Sequence, residues 1–197
     1  MDELILSCDE ELRPGPLPEV LKEDFLYTLF PPVWQPPKFC LVLGTPGARS
    51  SLHTDPFGWT GWNLLLRGEK RWRFVEPGPL AEQALYVAPP AVNNLAAHGE
   101  SPVDLYATAP GGGGGVSSGS GGGPDLERWP RASQVRLARE VVQRAGEVIV
   151  FPASWWHQTL HLSPSIAIAS QYVNRRSARG FLDRLAGRGG VGEASLG

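Results

Sequence analysis

Residues 146–174 read GEVIVFPASWWHQTLHLSPSIAIASQYVN and contain the clearest strand pattern in the chain. The apolar runs are short and lie at residues 146–151, 155–162 and 166–173, with Pro-Ala-Ser and Ser-Pro-Ser between them. Apolar runs of this length, bounded by proline and serine, are typical of strands joined by tight turns. Several such strands in succession predict an all-β core, built as a β-sandwich or a β-barrel.

The first half of the chain continues this pattern. Residues 39–43 form a short apolar run that predicts a buried strand. Residues 59–75 predict a hairpin, because an apolar arm and an arm of alternating charged and apolar residues flank a turn-like Arg-Gly-Glu. Short helices are predicted at residues 18–27, where a proline suits the first turn, and at 181–185. Residues 80–108 are weakly patterned and predict a helix or a loop.

The chain has 197 residues, which suits one domain with one sizeable core. We expect residues 1–186 to form this single domain. Residues 110–124, PGGGGGVSSGSGGGP, offer almost no side chains that could pack, so they predict a flexible insertion. Residues 187–197 are also rich in glycine and predict a disordered tail.

Composition is that of a globular protein, with 42% hydrophobic and 19% charged residues. The net charge of −2 gives no strong field for nucleic acid, and no apolar run is long enough to span a membrane. Cys8 and Cys40 are too few for the disulfide framework of a small secreted protein, and the acidic N-terminus does not resemble a secretory signal. We therefore expect an intracellular protein, nuclear or cytoplasmic.

Three side chains predict a metal centre. His53 and Asp55 are two positions apart, so on an extended backbone they point to the same side. His157 lies far along the chain, on the strand predicted at residues 155–162. Two histidines and one carboxylate on one face of a metal leave three positions open, which is the ligand set of non-haem Fe(II) oxygenases. His161 follows on the same strand and is predicted to be a partly buried strand histidine.

The blocks around these residues resemble the Jumonji-C family. They are HTDPFGWTGWNLLLRGEKRW, residues 53–72, and the stretch at residues 146–174. The resemblance runs from about Leu17 to Asn174 and is greatest for the branch of small hydroxylases that contains the bifunctional arginine demethylase and lysyl hydroxylase. It implies an all-β core with flanking helices, folded as a double-stranded β-helix, which is a cupin-like jelly roll.

The resemblance also implies a co-substrate pocket and an activity. In this branch the residue that matches Lys70 pairs with the distal carboxylate of 2-oxoglutarate, which a lysine ammonium on its long stem can reach. Asn63 and Ser50 match polar positions in the same pocket. The implied cofactors are Fe(II), 2-oxoglutarate as co-substrate, and O2. The implied reaction is hydroxylation or demethylation of a protein or peptide side chain, with lysine and arginine as the first candidates by analogy.

Two positions depart from the family pattern and leave alternatives open. Ala169 stands where the branch usually has threonine, and Ser170 could replace it only if a bulge shifted the register. The stretch Leu4–Cys8 lacks the usual pocket tyrosine. One alternative is therefore a non-catalytic cupin-like metal-binding or interaction domain with a degraded pocket. Another is a cupin that uses a different metal for isomerisation or hydrolysis, against which the carboxylate ligand and Lys70 count.

Overall fold

A computed structural model describes residues 23–86, 99–107 and 123–186 of the chain. Most of it is β-structure with short helices at the edges. The strands are β1 Cys40–Gly44, β2 Leu52–His53, β3 Thr60–Arg67, β4 Glu69–Val75, β5 Glu100–Ser101, β6 Arg139–Arg144, β7 Val148–Phe151, β8 Trp156–His161 and β9 Ser165–Tyr172. The helices are α1 Phe25–Leu29, α2 Pro79–Ala84 and α3 Ala178–Leu185, with 3-10 turns at Pro32–Trp34, Pro56–Gly58 and Pro130–Gln134.

The strands form two antiparallel sheets. The four-stranded sheet has the order β1-β9-β3-β7, and the five-stranded sheet has the order β5-β2-β8-β4-β6. The chain changes sheet at each of the connections β1–β2, β3–β4, β6–β7 and β8–β9. Strands that alternate between two facing sheets in this way form a jelly roll. The predicted double-stranded β-helix is therefore confirmed.

The hairpin predicted at residues 59–75 is wrong in its pairing, although both of its strands are present. β3 pairs with β7 and β9, whereas β4 pairs with β6 and β8. Between them Gly68 has a φ of +87°, in the left-handed region that glycine adopts readily. A side chain there would also collide with the carbonyl oxygen of Pro164, 2.4 Å from the added Cβ. At this glycine the chain passes from one sheet to the other. A glycine turn of this kind can connect two strands of a hairpin or two strands of different sheets, so the sequence alone did not distinguish them.

β1 is a strand as predicted, but the prediction that it is buried is wrong. It lies at the edge of its sheet and pairs only with β9 among the strands of the structure. Leu41 and Leu43 are 53% and 66% exposed because they face outward, alternating with Cys40 and Val42. β6 was not predicted, since arginine, glutamate and glutamine interrupt its apolar pattern.

The flanking helices are close to their predicted places. α1 begins at Phe25, where the Asp24 side chain accepts a hydrogen bond of 3.0 Å from the Leu26 backbone N–H. The rest of the helix predicted at residues 18–27 lies largely outside the described residues. The helix predicted at 181–185 begins earlier, as α3. No helix in the described part of the chain is both long and apolar enough to cross a membrane.

Most of the predicted insertion at residues 110–124, and all of the predicted tail at 187–197, lie outside the described residues. The two ends that flank the insertion are adjacent, because the Gly123 N–H donates a hydrogen bond of 3.0 Å to the Ala107 carbonyl oxygen. A link of a few residues could therefore join them.

Removing residues 110–121 is expected to leave the melting temperature unchanged or slightly higher. The remaining link is long enough for a short loop, and the shorter loop loses about 1 kcal/mol less closure entropy on folding. Differential scanning calorimetry of the shortened chain against the full chain tests this. A fall in Tm of more than about 5 °C would mean that the insertion packs on the domain.

Candidate metal centre

The two predicted histidine ligands are neighbours in the five-stranded sheet. His53 at the end of β2 pairs directly with His157 on β8, and their ring centroids are 4.4 Å apart. Asp55 follows β2 by two residues and turns its carboxylate toward both rings. Its Oδ1 lies 3.9 Å from His53 Nε2 and 3.7 Å from His157 Nε2. All three ligand atoms lie within 4.8 Å of one another, so a single ion could contact all three.

The same local hydrogen bond orients each imidazole. His53 Nδ1 lies 2.9 Å from the Ser51 carbonyl oxygen, and His157 Nδ1 lies 3.0 Å from the Trp155 carbonyl oxygen. A carbonyl oxygen can only accept, so each Nδ1 carries the proton and donates it. In each ring Nε2 is then the nitrogen that faces Asp55 and can serve as the metal ligand.

An apolar wall surrounds His157. Its ring centroid is 4.4 Å from that of Phe151 and 6.1 Å from that of Trp72, and the side chain is only 4% exposed. Burial, followed by the neighbouring His53, lowers the pKa of His157 to about 3. The imidazole is therefore neutral at physiological pH, and no proton competes with a metal for Nε2.

The backbone on either side of the triad is unusual. Phe57 after Asp55 and Ser154 before His157 have φ angles of 55° and 67°, in the left-handed region that few non-glycine residues adopt. Arg184 on α3 reaches both turns: its Nη2 donates a hydrogen bond of 2.6 Å to Ser154 Oγ, and its Nε would lie 2.8 Å from a Cβ on Gly58. α3 thereby ties together the two turns that hold the ligands.

Gly61 on β3 leaves space for the Asp55 carboxylate. A Cβ at this position would lie 2.3 Å from the Phe151 ring and 2.5 Å from Asp55 Oδ2. Both distances are far below van der Waals contact. Either the aromatic wall or the carboxylate would have to move, and the carboxylate is the ligand that joins the two histidines.

Gly61→Ala is therefore expected to weaken metal binding about tenfold or more while the chain still folds, since displaced ligands bind poorly. Calorimetric titration with Mn(II) measures the affinity of the variant for the metal. Gly180→Ala is the matched control, because a Cβ on Gly180 meets nothing within 4 Å. Equal Mn(II) affinity in the two variants would mean that Gly61 does not hold the carboxylate in place.

Lys70 lies in the interior on the same face of the same sheet. Along β4, Lys70 is opposite His161 and Phe74 is opposite His157, so Lys70 and the triad are about 13 Å apart at the backbone. The lysine stem reaches back over Trp72, with Nζ 4.7 Å from the centre of that ring. Lys70 and the metal ligands therefore share one inward face of the sheet.

The ammonium of Lys70 is buried without an anion. The residue is 1% exposed, and no carboxylate within the described ranges forms an ion pair with it. Burial lowers the pKa of Lys70 to about 8, so the group is still charged at neutral pH. Keeping it charged there costs the fold about 3 kcal/mol, a cost that fades only as pH rises above 8. An anionic ligand would offset this cost.

The polar side chains of Asn63 and Ser50 differ in how available they are to bind a ligand. Asn63 on β3 is 3% exposed, and its buried Oδ1 has no hydrogen-bond partner among the residues that the structure describes. Rotation of the amide can offer a donor or an acceptor at this place. Ser50 is less available, because its Oγ already accepts a hydrogen bond of 3.0 Å from the Thr159 backbone N–H.

The departure at Ala169 is real, and Ser170 does not compensate for it. Ala169 pairs with Asn63 and shares its inward face, whereas Ser170 pairs with Trp62 on the outward face. The Ser170 hydroxyl donates a hydrogen bond to the Lys38 carbonyl oxygen. β9 does contain a register shift against β3, but it falls at Leu65 and Arg67 rather than here. The stretch Leu4–Cys8 lies outside the described residues.

Sequence reasoning missed two residues of the interior. Thr159 is on the inward face of β8 between the two histidines and is 7% exposed. Strand alternation from His157 could have identified it. Gln143 on β6 is fully buried, accepts a hydrogen bond from Trp72 Nε1 and donates one to the Asn63 carbonyl oxygen. It links the two sheets, and no local pattern in a strand that was not predicted could have revealed it.

The residues present fit both a metal and a small dicarboxylate. Two imidazole nitrogens and one carboxylate oxygen lie close enough to share one ion, which suits Fe(II) with open positions. Within the described ranges the Lys70 ammonium has no ion-pair partner and Asn63 Oδ1 has no hydrogen-bond partner, which suits an anion that extends inward from the metal ligands. This chemistry is the one expected from the resemblance of the sequence.

Comparison with known proteins agrees with the site. A model of the cupin-like domain family matches residues 17–177. Relatives include the lysine-specific demethylase JMJ21 of Arabidopsis thaliana, 27% identical over 81% of this chain and 16% of that protein. The 2-oxoglutarate and iron-dependent oxygenase JMJD4 of Gallus gallus is 30% identical over 68% of this chain and 26% of its own length.

A third relative is the bifunctional arginine demethylase and lysyl-hydroxylase psr-1 of Caenorhabditis elegans, 27% identical over 77% of this chain and 34% of that protein. The chain thus spans about a sixth to a third of the length of these relatives. The family match covers most of the chain. The chain therefore belongs to the cupin-like domain family and is of the JmjC type.

Proposed function

We propose that the chain is a 2-oxoglutarate- and iron-dependent oxygenase domain in which His53, Asp55 and His157 hold the metal. The observation that carries the proposal is a three-ligand site on the same sheet face as a buried lysine that has no ion-pair partner among the described residues. When bound, iron and 2-oxoglutarate supply the oxidation: 2-oxoglutarate and O2 are converted to succinate and CO2 while one oxygen atom enters a substrate C–H bond.

The chain's own residues bind and orient the reactants. Lys70 holds the far carboxylate of 2-oxoglutarate, and Asn63 contacts its body, which fixes the keto acid end at the metal ligands. Trp72, Phe74 and Phe151 exclude water around His157. Ser50 acts mainly by holding Thr159 and the backbone of β8 in place, since its hydroxyl is already bonded there.

The substrate is proposed to be a lysine or arginine side chain of a protein or peptide. The relatives support this class, since they include a lysine-specific demethylase, an arginine-specific demethylase and a lysyl-hydroxylase. Mass spectrometry of lysine- and arginine-containing peptides, methylated and unmethylated, tests it after incubation with Fe(II) and 2-oxoglutarate. A gain of one oxygen atom or loss of a methyl group is expected, and neither should occur with Asp55→Ala.

One observation favours a second candidate, a cupin-like domain that binds metal without catalysis. The inward position of Ala169 carries no hydroxyl, so the pocket offers one donor fewer to a carboxylate. Metal binding without any binding of 2-oxoglutarate would select this reading. For either function we propose a reducing, intracellular setting, in the nucleus or the cytoplasm; within the described residues Cys40 is exposed and forms no disulfide.

The affinity for 2-oxoglutarate is expected to depend on pH through Lys70. Below pH 8 the ammonium is already charged in the free protein, so affinity is constant. Above pH 8 the free amine is neutral and must take up a proton on binding. The Kd is therefore expected to rise about tenfold between pH 7 and pH 9.

Calorimetry with Mn(II) as a redox-silent metal measures this dependence. 2-Oxopentanoate, which lacks the far carboxylate, is the matched control and corrects for any titration at the metal end. The same pH dependence for both ligands would remove Lys70 as its source.

A further inference from the structure

His161 lies beside Lys70 at the inner end of the pocket. The two residues are direct partners across β4 and β8. The Leu162 N–H donates to the Glu69 carbonyl oxygen, so Lys70 and His161 form the adjacent non-hydrogen-bonded pair, in which side chains come closest. His161 is 5% exposed, more buried than the sequence predicted, and alternation places it on the same inward face as His157 and Thr159.

Contacts from the opposite sheet fix the ring of His161. Its Nδ1 forms a hydrogen bond with Ser165 Oγ on β9. Its ring also packs against Gly44 on β1, where an added Cβ would lie 2.1 Å from Nδ1. When the serine hydroxyl donates to Nδ1, the proton of the neutral ring is on Nε2, which then becomes a donor for a ligand.

The two basic side chains have no anion between them. Burial, followed by the charge of Lys70, lowers the pKa of His161. Within the three described ranges no carboxylate pairs with either group. The lowered pKa favours the neutral His161 ring, and a bound carboxylate would offset the electrostatic cost of the Lys70 ammonium beside it.

We propose that His161, held by Ser165, is a second anchor for the far carboxylate of the co-substrate, beside Lys70. The proposal rests on the proposed function and goes beyond it, because it assigns a binding role to a histidine outside the metal centre. In a pocket that has alanine at position 169, the imidazole N–H would supply a donor beside Lys70 instead.

The test compares two ligands on one set of variants. 2-Oxoglutarate and 2-oxopentanoate have the same carbon chain and keto acid, and only the first has a far carboxylate. Calorimetry in the presence of Mn(II) gives the Kd of each. His161→Leu is expected to raise the Kd of 2-oxoglutarate about tenfold and that of 2-oxopentanoate less than about twofold, since a hydrogen bond to a charged group is lost only with the first.

Two further variants keep the test decisive if His161→Leu does not fold. Ser165→Ala removes the hydrogen bond that holds the His161 ring. It is expected to raise the Kd of 2-oxoglutarate about threefold and to leave the Kd of 2-oxopentanoate unchanged. His161→Gln retains an N–H donor and should bind 2-oxoglutarate more tightly than His161→Leu or Ser165→Ala. Far-ultraviolet circular dichroism and an unchanged Mn(II) affinity verify that each variant is folded with its metal centre intact.

The other outcomes overturn the inference in distinguishable ways. Equal weakening of both ligands would mean that His161 acts through packing of the sheets. No weakening of either would mean that the ring does not reach the ligand. In both cases the wild-type chain still binds 2-oxoglutarate, so the proposed function stands. If the wild type binds Mn(II) but not 2-oxoglutarate, the proposed function and this inference fall together.

Discussion

Lys70→Met is expected to raise the Kd of 2-oxoglutarate by well over tenfold, with Mn(II) affinity changed less than about twofold. Methionine fills similar space but has no charge, so the variant removes the anion's partner from a water-poor pocket. Breaking a buried charge pair of this kind costs about 2–5 kcal/mol, and about 1.4 kcal/mol is a factor of ten. Calorimetry with 2-oxoglutarate and Mn(II) measures both affinities.

The same variant should not be less stable than the wild type without ligand. The unliganded fold keeps a charged ammonium buried at a cost of about 3 kcal/mol, and methionine removes that cost. We expect the melting temperature to stay level or rise while ligand binding is lost. Unchanged 2-oxoglutarate affinity in the folded variant would remove Lys70 from the site.

Asp55→Ala is expected to weaken Mn(II) binding by at least about a hundredfold. Its carboxylate is the only anion of the proposed ligand set, and it lies between the two histidine nitrogens at 3.7 and 3.9 Å. We expect this variant also to lose binding of 2-oxoglutarate, because the keto acid end of the molecule no longer has a metal to bind. Lys70→Met should show the opposite order, with metal retained and co-substrate lost.

A surface carboxylate provides the matched control for this variant. Asp183 on α3 is an exposed aspartate whose nearest basic partner is Arg179 at 3.9 Å. Asp183→Ala should leave Mn(II) affinity unchanged. If Asp55→Ala binds Mn(II) as the control does, the metal is held elsewhere and the triad assignment fails.

The parts that could be predicted from sequence depend on local geometry. Strand alternation places His53 and Asp55 on one side of the backbone, and the run around His157 is an unmistakable strand. To bring the three ligand residues together, the fold needs only to pair β2 with β8. The spacing of Lys70 from His53 could be interpreted only through the family resemblance, since nothing local distinguishes a buried lysine from a solvated one.

The parts that could not be predicted depend on contacts between distant strands. A turn at Gly68 is compatible with a hairpin or with a corner between sheets, and only the pairing of β3 and β4 with other strands decides. Likewise an apolar run does not reveal which of its faces is covered, which is why Leu41 and Leu43 are exposed. The positions of Arg184 and Ser165 against the site depend on tertiary packing, which no sequence window contains.

Formation of succinate from 2-oxoglutarate tests the central claim most directly. The assay uses the full chain with Fe(II), O2 and ascorbate, with and without lysine- and arginine-containing peptides, and nuclear magnetic resonance follows both acids. We predict iron-dependent succinate formation in the wild type, stimulated by a peptide that is a substrate, and none above background in Asp55→Ala or Lys70→Met. Wild-type chain that is folded and loaded with iron, yet forms no more succinate than Asp55→Ala under any of these conditions, would contradict the account.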